Sequence, residues 1–508
     1  MPEPHQQFQP DDIMIKYCRF NTAPAADLLY TTLAKTGYGI IWGKIMAIVF
    51  FVSASTLLFI TARSMYGQFG AWMALGWFVL LPPIFKLFSG GFMSAWSATL
   101  LILTVYSIHR RHWWYAPFIL AVGALSYPMA AIQCGFMYAL DALIHYRRHW
   151  RSGRHWLTHF SPLIMAMVMG SILVLLKYNH APPEFGHLVN ATEIGSRVEF
   201  TQAGRYPLLP LKSLPEVLMS AWLHIPHLIL ILLAAFRLRF SALKLSRGMG
   251  TLLLSGCILY VLAEWSLLKL YFPDRYLQFT LPFWFALASG HWLSRMWSGH
   301  SAPQHILTTS KMQTVLISGF SIIIFAGFLE FQKGFKPGVK TLEYHRQDLY
   351  EAILNLPPGI LLAAHPKRGS ELPLFTGRSV FVAQELTHPW WTGYWEIMSQ
   401  RMRAFFRAYY ATDPEVLREF IIENKIDYFV IQPHHFTLGY MRQQRQICFE
   451  PFNTWVRQEV LPLVHPLLSR IPERYWKYSD DSYRLIAAEE ILNWLNWKYE
   501  ASQNSEIE

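Results

Sequence analysis

Runs of about 20 predominantly apolar residues recur between Trp42 and Glu330. One such run is the length a helix needs to cross a hydrocarbon core of about 30 Å. A chain built this way must hide that surface in lipid, because one folded core cannot cover it. Composition agrees: 53% of the residues are hydrophobic and only 15% charged, where a soluble chain carries roughly 25% charge. After Phe335 the composition returns to that of a globular domain. The expectation is an integral membrane protein with a soluble tail.

The pattern predicts about ten spans, near 42–62, 70–88, 92–109, 113–127, 129–146, 158–178, 216–236, 249–268, 278–296 and 312–330. Ser126-Tyr127-Pro128 is the predicted turn between the two short spans. The net charge of +11 gathers in short loops between spans: Arg110-Arg111, then Arg147-Arg148 with Arg151 and Arg154, then Arg237, Arg239, Lys244 and Arg247. Basic inter-span loops stay on the cytoplasmic side. No basic motif lies outside these loops, so nucleic acid is excluded as a partner. The four cysteines, Cys18, Cys134, Cys257 and Cys448, have no metal spacing. A Cys18–Cys448 disulfide is compatible with the topology, with nothing further in its favour.

With the basic loops inside, residues 1–41, the loop 179–215, the loop around 269–277 and everything after Glu330 fall outside the cell membrane. The expected division is an acidic extracytoplasmic loop (1–41), a multi-span transmembrane domain (42–334) and an extracytoplasmic α/β domain (335–508). An outside N-terminus without an anchoring helix is awkward, so one more helix is expected upstream of Met1. In the tail, Gly359–Ala364, Ser379–Ala383, Asp427–Ile431 and Tyr483–Ala487 read as strands. Gln347–Leu354, Tyr394–Tyr410 and Pro414–Asn424 read as helices, the last with Asp413 as N-cap. Strands alternating with helices predict a partly parallel sheet.

Asp11-Asp12 open the list of candidate residues. Adjacent carboxylates at a membrane surface can take a proton from a hydroxyl or hold a divalent metal, Mg²⁺ or Mn²⁺. A solvated turn or a helix N-cap explains such a pair equally well. Asp274-Arg275-Tyr276 open a span at the same face, with Glu264 and Lys269 just before. A guanidinium at a helix N-terminus suits a lipid phosphate, although Tyr and Arg also serve as plain interfacial anchors. His224 and His227 share a helical face and would complete a metal site with the Asp pair. Interhelical hydrogen bonding is their commoner use. Asp141 lies near the inner end of its span, where Arg147 or Arg148 would pair with it. In the tail, His365, Arg378, Trp390 and Trp391 follow strand ends, the edge where open α/β sheets bind ligands. They would contact an acceptor, with exposed Trp stacking on a sugar ring, or they would form a structural lid.

These features together resemble the GT-C superfamily of integral-membrane glycosyltransferases, which have an acidic first extracytoplasmic loop, many spans and often an extracytoplasmic α/β domain. The resemblance implies a polyprenyl-phosphate-linked sugar as donor. It also implies Asp11 or Asp12 as the base and Arg275 near the lipid phosphate, with the tail matched by position only; Tyr276 and Lys269 are further lipid-carrier candidates by their place beside Arg275 alone. The chain is also similar over nearly its whole length to bacterial membrane proteins of no assigned reaction. Those carry a like first loop and a tail of the type LPPGILLAAHP, SVFVAQE, RAYYATD and DYFVI (here 356–366, 379–385, 407–413 and 427–431). Two departures stand out: no helix precedes the acidic loop, and the acidic pair is Asp-Asp rather than Asp-x-Asp or Asp-Glu.

The expected fold is a GT-C-like polytopic helical domain lacking its first helix, followed by a small extracytoplasmic α/β domain, in the inner (plasma) membrane. The expected activity is inverting transfer of a sugar from a polyprenyl-phosphate carrier to an extracytoplasmic glycan, lipid or protein, with membrane lipids around it. No P-loop or dinucleotide fingerprint is present. The alternative is a non-catalytic membrane protein, either a lipid or polysaccharide transporter or an envelope-assembly scaffold. A transporter would show paired repeats and broken polar helices, of which Pro82-Pro83 with Lys86 is the one trace.

Overall fold

The computed structural model describes residues 9, 12–36, 39–80, 88, 94–146, 164, 168, 181–201, 204–205, 246–266, 273–298, 346–443, 447–461 and 465–505. The chain divides into two compact units: 1–22, 181–211 and 339–508 form one, and 23–180 with 212–338 form the other. This differs from three consecutive segments. The expected loop 1–41 is helical in its described part and is cut between Thr22 and Ala23. Helix α1 (Ile13–Asn21) belongs to the α/β unit and α2 (Pro24–Ala34) to the helical unit. Residues 181–211 of the loop 179–215 also join the α/β unit, where Val189 N donates to Trp390 O (2.9 Å) and Thr392 N to His187 O (3.0 Å).

In the helical unit, α2 is followed by α3 (Gly39–Leu80), α4 (Ala95–Arg110), α5 (Ala116–Ser126), α6 (Pro128–Tyr146), α7 (Arg247–Ser266) and α8 (Pro273–Ser298). Ile41–Val79 of α3 is the one described helix long and apolar enough to cross a membrane. Trp113–Ser126, Pro128–Ile144 and Arg247–Ala263 are apolar but shorter. The predicted spans near 158–178, 216–236 and 312–330 lie outside the described residues. Gly67 interrupts α3 at φ 80° and ψ −177°, a conformation glycine enters without steric cost. The break falls between the first two predicted spans. Tyr127 separates α5 from α6, as the Ser126-Tyr127-Pro128 turn predicts.

Small residues let these helices approach closely. A Cβ on Gly290 of α8 would lie 2.5 Å from Gly70 O and 2.8 Å from Ala74 Cβ of α3. A Cβ on Gly256 of α7 would lie 2.5 Å from Thr280 Oγ1 of α8. Some polar groups in this core are paired across helices, with Gln133 Nε2 donating to Thr280 Oγ1 (2.5 Å) and Tyr138 OH to Ser107 Oγ (2.9 Å), whereas Thr61 Oγ1, Gln133 Oε1 and Ser289 Oγ are buried with no hydrogen-bond partner. Near the C-terminal end of α6, the cations acting on Asp141 are Arg247 and Arg111. Arg147 and Arg148, its expected partners, lie outside the described residues. Just before the N-terminal end of α6, the Tyr127 hydroxyl accepts from Arg275 Nη1 (2.6 Å).

The α/β unit continues with α9 (Gln347–Leu354), β1 (Leu361–Ala364), β2 (Ser379–Val380), α10 (Thr392–Tyr409), α11 (Pro414–Glu423), β3 (Tyr428–Ile431), β4 (Tyr478–Ser479), β5 (Arg484–Ala487) and α12 (Ala488–Ser505). The sheet order is β2-β1-β3-β5-β4. β1 pairs in parallel with β2 and β3, while β5 pairs antiparallel with β3 and β4. The four predicted strands and three predicted helices form, and the two-residue β4 is additional.

Side chains alternate across the sheet because successive Cβ atoms point to opposite faces. Leu361, Ala363, Phe429, Ile431 and Ile486 face a core built with α11 and α12. Leu362, Ala364, Val430 and Leu485 face a core built with α1 and α9. α10 serves both cores: Met402, Phe405 and Tyr409 enter the first, Tyr394 and Met398 the second. With both faces covered, the strands read as continuous apolar runs. Cys18 and Cys448 are both free thiols, so the disulfide compatible with the topology does not form.

Candidate functional site

Asp12 begins α1 as its N-cap. Its Oδ1 accepts from Met14 N (2.9 Å), which satisfies one of the amides a helix leaves open at its start. Ile13, Met14 and Tyr17 then form one buried face. Tyr17 stacks on Tyr394 with ring centroids 4.0 Å apart and on His388 at 5.4 Å. Lys16 reaches Glu184 (3.4 Å), and Gln9 N donates to Ser379 Oγ (2.9 Å). The acidic segment is thereby fastened to the α/β unit by packing as well as by polar contacts.

The Asp12 carboxylate is buried, and Arg401 Nη1 of α10 lies 3.5 Å from Oδ1. Oδ2 is buried with no hydrogen-bond partner. Burial pushes this carboxyl above its ordinary value, while the Met14 amide and Arg401 pull the other way. A carboxylate with one oxygen committed to a cap and one uncommitted can accept a proton, and its raised affinity for that proton moves it toward neutral pH. Asp11 lies outside the described residues.

Arg275 stands in the first turn of α8, bonded to the Tyr127 hydroxyl (2.6 Å). Tyr276 is fully buried in the helical core, where its ring anchors the start of α8. Asp12 belongs to the α/β unit and Arg275 to the helical unit. Lys269, His224 and His227 lie outside the described residues. Among the described residues, no group of three His, Cys, Asp or Glu side chains forms a metal site. Asp12 does not fit Mg²⁺ or Mn²⁺ by itself, because a guanidinium already supplies its positive neighbour.

The tail residues are less open than expected. Trp391 is buried and Trp390 half-buried, its Nε1 donating to His388 Nδ1 (3.0 Å). Trp391 packs on Phe20 and Phe185 at 5.4 and 6.4 Å, so the exposed stacking pair is absent and the two rings hold α1 and the 181–205 segment in place. Arg378 is buried and donates to Leu354 O (3.1 Å), Leu356 O (2.7 Å) and Thr376 O (3.2 Å). It ties α9 to β2. His365 follows β1, as predicted, but is 1% exposed. Neither of its ring nitrogens has a partner, and its centroid lies 4.5 Å from that of His435. Burial, followed by the charges of Lys367 and Arg368, pushes its pKa down to about 3.

One partner escaped sequence reasoning. Arg401 has no local signal, being one basic residue among several on an amphipathic helix. The N-cap role of Asp12 was legible, because Ile13, Met14, Tyr17 and Phe20 follow at helical spacing.

No family model matches the chain, and no curated protein matches it in sequence. Among solved structures, it is similar to the crystal structure of the Archaeoglobus fulgidus oligosaccharyltransferase tethered with an acceptor peptide, at 11% identity and a TM-score of 0.39. That match covers 78% of this chain and 59% of the other, so the chain spans less than two thirds of the length of the structure it resembles. At this TM-score the likeness is too slight to carry a conclusion about fold or function.

Proposed function

We propose that the protein is a membrane glycosyltransferase that moves a sugar from a polyprenyl-phosphate donor to an extracytoplasmic acceptor: a glycan, lipid or protein. The observation that supports this reading is Asp12 Oδ2, a buried carboxylate oxygen without a partner on a group whose proton affinity burial has raised. In the proposed step, Asp11 or Asp12 takes the acceptor hydroxyl proton and the oxygen attacks the anomeric carbon. The bond to phosphate breaks with inversion, and its electron pair leaves with the carrier phosphate. Arg275 would neutralise that phosphate, which requires the acid and the guanidinium to meet at one membrane face. If an ion takes part, Asp11 is the residue to hold it, and chelation with add-back of Mg²⁺ or Mn²⁺ tests that element alone.

A second reading is favoured by the same residue: the cap and the Arg401 pair give Asp12 a purely structural use, as in a non-catalytic transporter or scaffold. The Asp11→Asn/Asp12→Asn double variant separates the two. Purified protein in proteoliposomes is supplied with a panel of polyprenyl-phosphate sugars, and transfer is read together with thermal stability. Transfer by the wild type that disappears in a stably folded double variant supports the enzyme. Undiminished transfer in that variant would falsify the mechanism.

A further inference from the structure

In open α/β sheets, ligands bind outside the carboxyl ends of the parallel strands. Beyond the carboxyl end of β3 lies a cavity of about 540 Å³, within the range of roughly 300–1,000 Å³ typical of small-molecule sites. Its polar lining is Arg470, Arg484, His465, Thr437 and Ser469, with Phe436 on the apolar side. None of the candidate residues above belongs to it.

Topology puts the charge there. β5 runs antiparallel to β3, so its first residue, Arg484, pairs in register with the last residue of β3, Ile431. The Arg484 guanidinium is held 5.2 Å over the Trp476 ring, and its Nε is buried with no hydrogen-bond partner. Among the described residues neither Arg470 nor Arg484 forms an ion pair, and no carboxylate lines the cavity. The two hydroxyls are already donors to the backbone, Thr437 to His434 O (2.8 Å) and Ser469 to Pro466 O (2.6 Å). The guanidiniums and His465 are the donors left for a ligand.

We infer that this cavity binds a sugar-sized solute bearing a phosphate or carboxylate group. Guanidinium forks match the planar or tetrahedral oxyanion, while Ile431, Pro433 and Phe436 supply an apolar wall for the body that carries it. The site stands apart from the transfer proposal, since binding is read without turnover.

Calorimetry on the full chain in detergent micelles tests it with glucose 6-phosphate, glucuronate and inorganic phosphate. At least one of the two sugar acids should bind, more weakly as salt is raised, and which one binds identifies the anion. Arg470→Gln should weaken binding roughly tenfold, and because Arg470 is exposed the fold should be untouched. Arg470→Gln/Arg484→Gln should abolish binding, with circular dichroism confirming the sheet. The inference is overturned if neither sugar acid binds the wild type at millimolar concentration. It is equally overturned if binding survives in the folded double variant, or if inorganic phosphate binds as tightly as both sugar acids.

Discussion

Asp12 Oδ1 and Arg401 Nη1 lie 3.5 Å apart, joining the first turn of α1 to the middle of α10 across most of the chain. The aspartate is almost wholly buried, whereas a quarter of the arginine side chain remains exposed. Removing one member of a buried pair leaves the other without compensation. Arg401→Gln should therefore destabilise the α/β unit by about 2 kcal/mol. Adding Asp12→Asn to it should recover part of that loss, because the neutral amide can still cap α1. Denaturant titration of both single variants and the double variant measures the coupling, and additive losses would show that the pair is not coupled.

The histidines of the α/β unit should make it labile to acid. His365 has its pKa pushed down to about 3 and His388 to about 4, chiefly by burial. A histidine whose folded value lies below its unfolded value of about 6.5 contributes stability above 6.5, and that contribution is lost as pH falls toward the folded value. Stability should thus decline from pH 6.5 downward. Asp12 acts with the opposite sign, because its raised value favours folding below its ordinary value of 3.8 and that contribution is lost as pH rises through the raised value. His365→Leu also removes two buried nitrogens without partners and should flatten the decline while raising stability by about 1 kcal/mol. Urea midpoints at pH 7, 6 and 5 read both effects.

The α3–α8 contact should reject any side chain at Gly290. Its Cβ would meet the Gly70 carbonyl at 2.5 Å, and backbone cannot move aside as a flexible side chain can. Gly290→Ala should destabilise the helical unit by roughly 1–3 kcal/mol. Gly250→Ala, where nothing lies within 4 Å of the added carbon, is the matched control and should be neutral or mildly stabilising. Thermal aggregation in detergent reads the difference.

If Arg275 grips a carrier phosphate, Arg275→Ala should raise the donor KM at least tenfold and leave the acceptor KM unchanged. Tyr127→Phe removes the hydroxyl that Arg275 bonds at 2.6 Å while keeping the ring, and should give a smaller shift in the same parameter. Equal effects on both substrates would mean that Arg275 serves only the packing of α8.

Much of the architecture was legible because it is written in local periodicity. The apolar runs foretold α3 to α8, and the β-rich runs ending at Ala364, Ala383, Ile431 and Ala487 foretold four of the five strands. Asp413 and Pro414 started α11 where capping chemistry says they should. The candidate site was only half legible. Asp12 stood out as an acidic residue, but its partner Arg401, the committed hydrogen bonds of Arg378 and the burial of His365 and Trp391 depend on segments far apart in sequence.

The sequence by itself determined the apolar helices α3 to α8 and four of the five strands, but not α1, α2 or β4, and it showed where one basic and one acidic group sit near an apolar boundary. Only the tertiary structure decided that α1 and the 181–205 segment belong with the tail, that Asp12 is buried beside a guanidinium, and that β5 delivers Arg484 to the carboxyl end of β3. Periodicity is a property of neighbours in the chain, whereas burial and charge pairing are properties of neighbours in space. The pairing of distant segments, which no local pattern encodes, converts the first into the second.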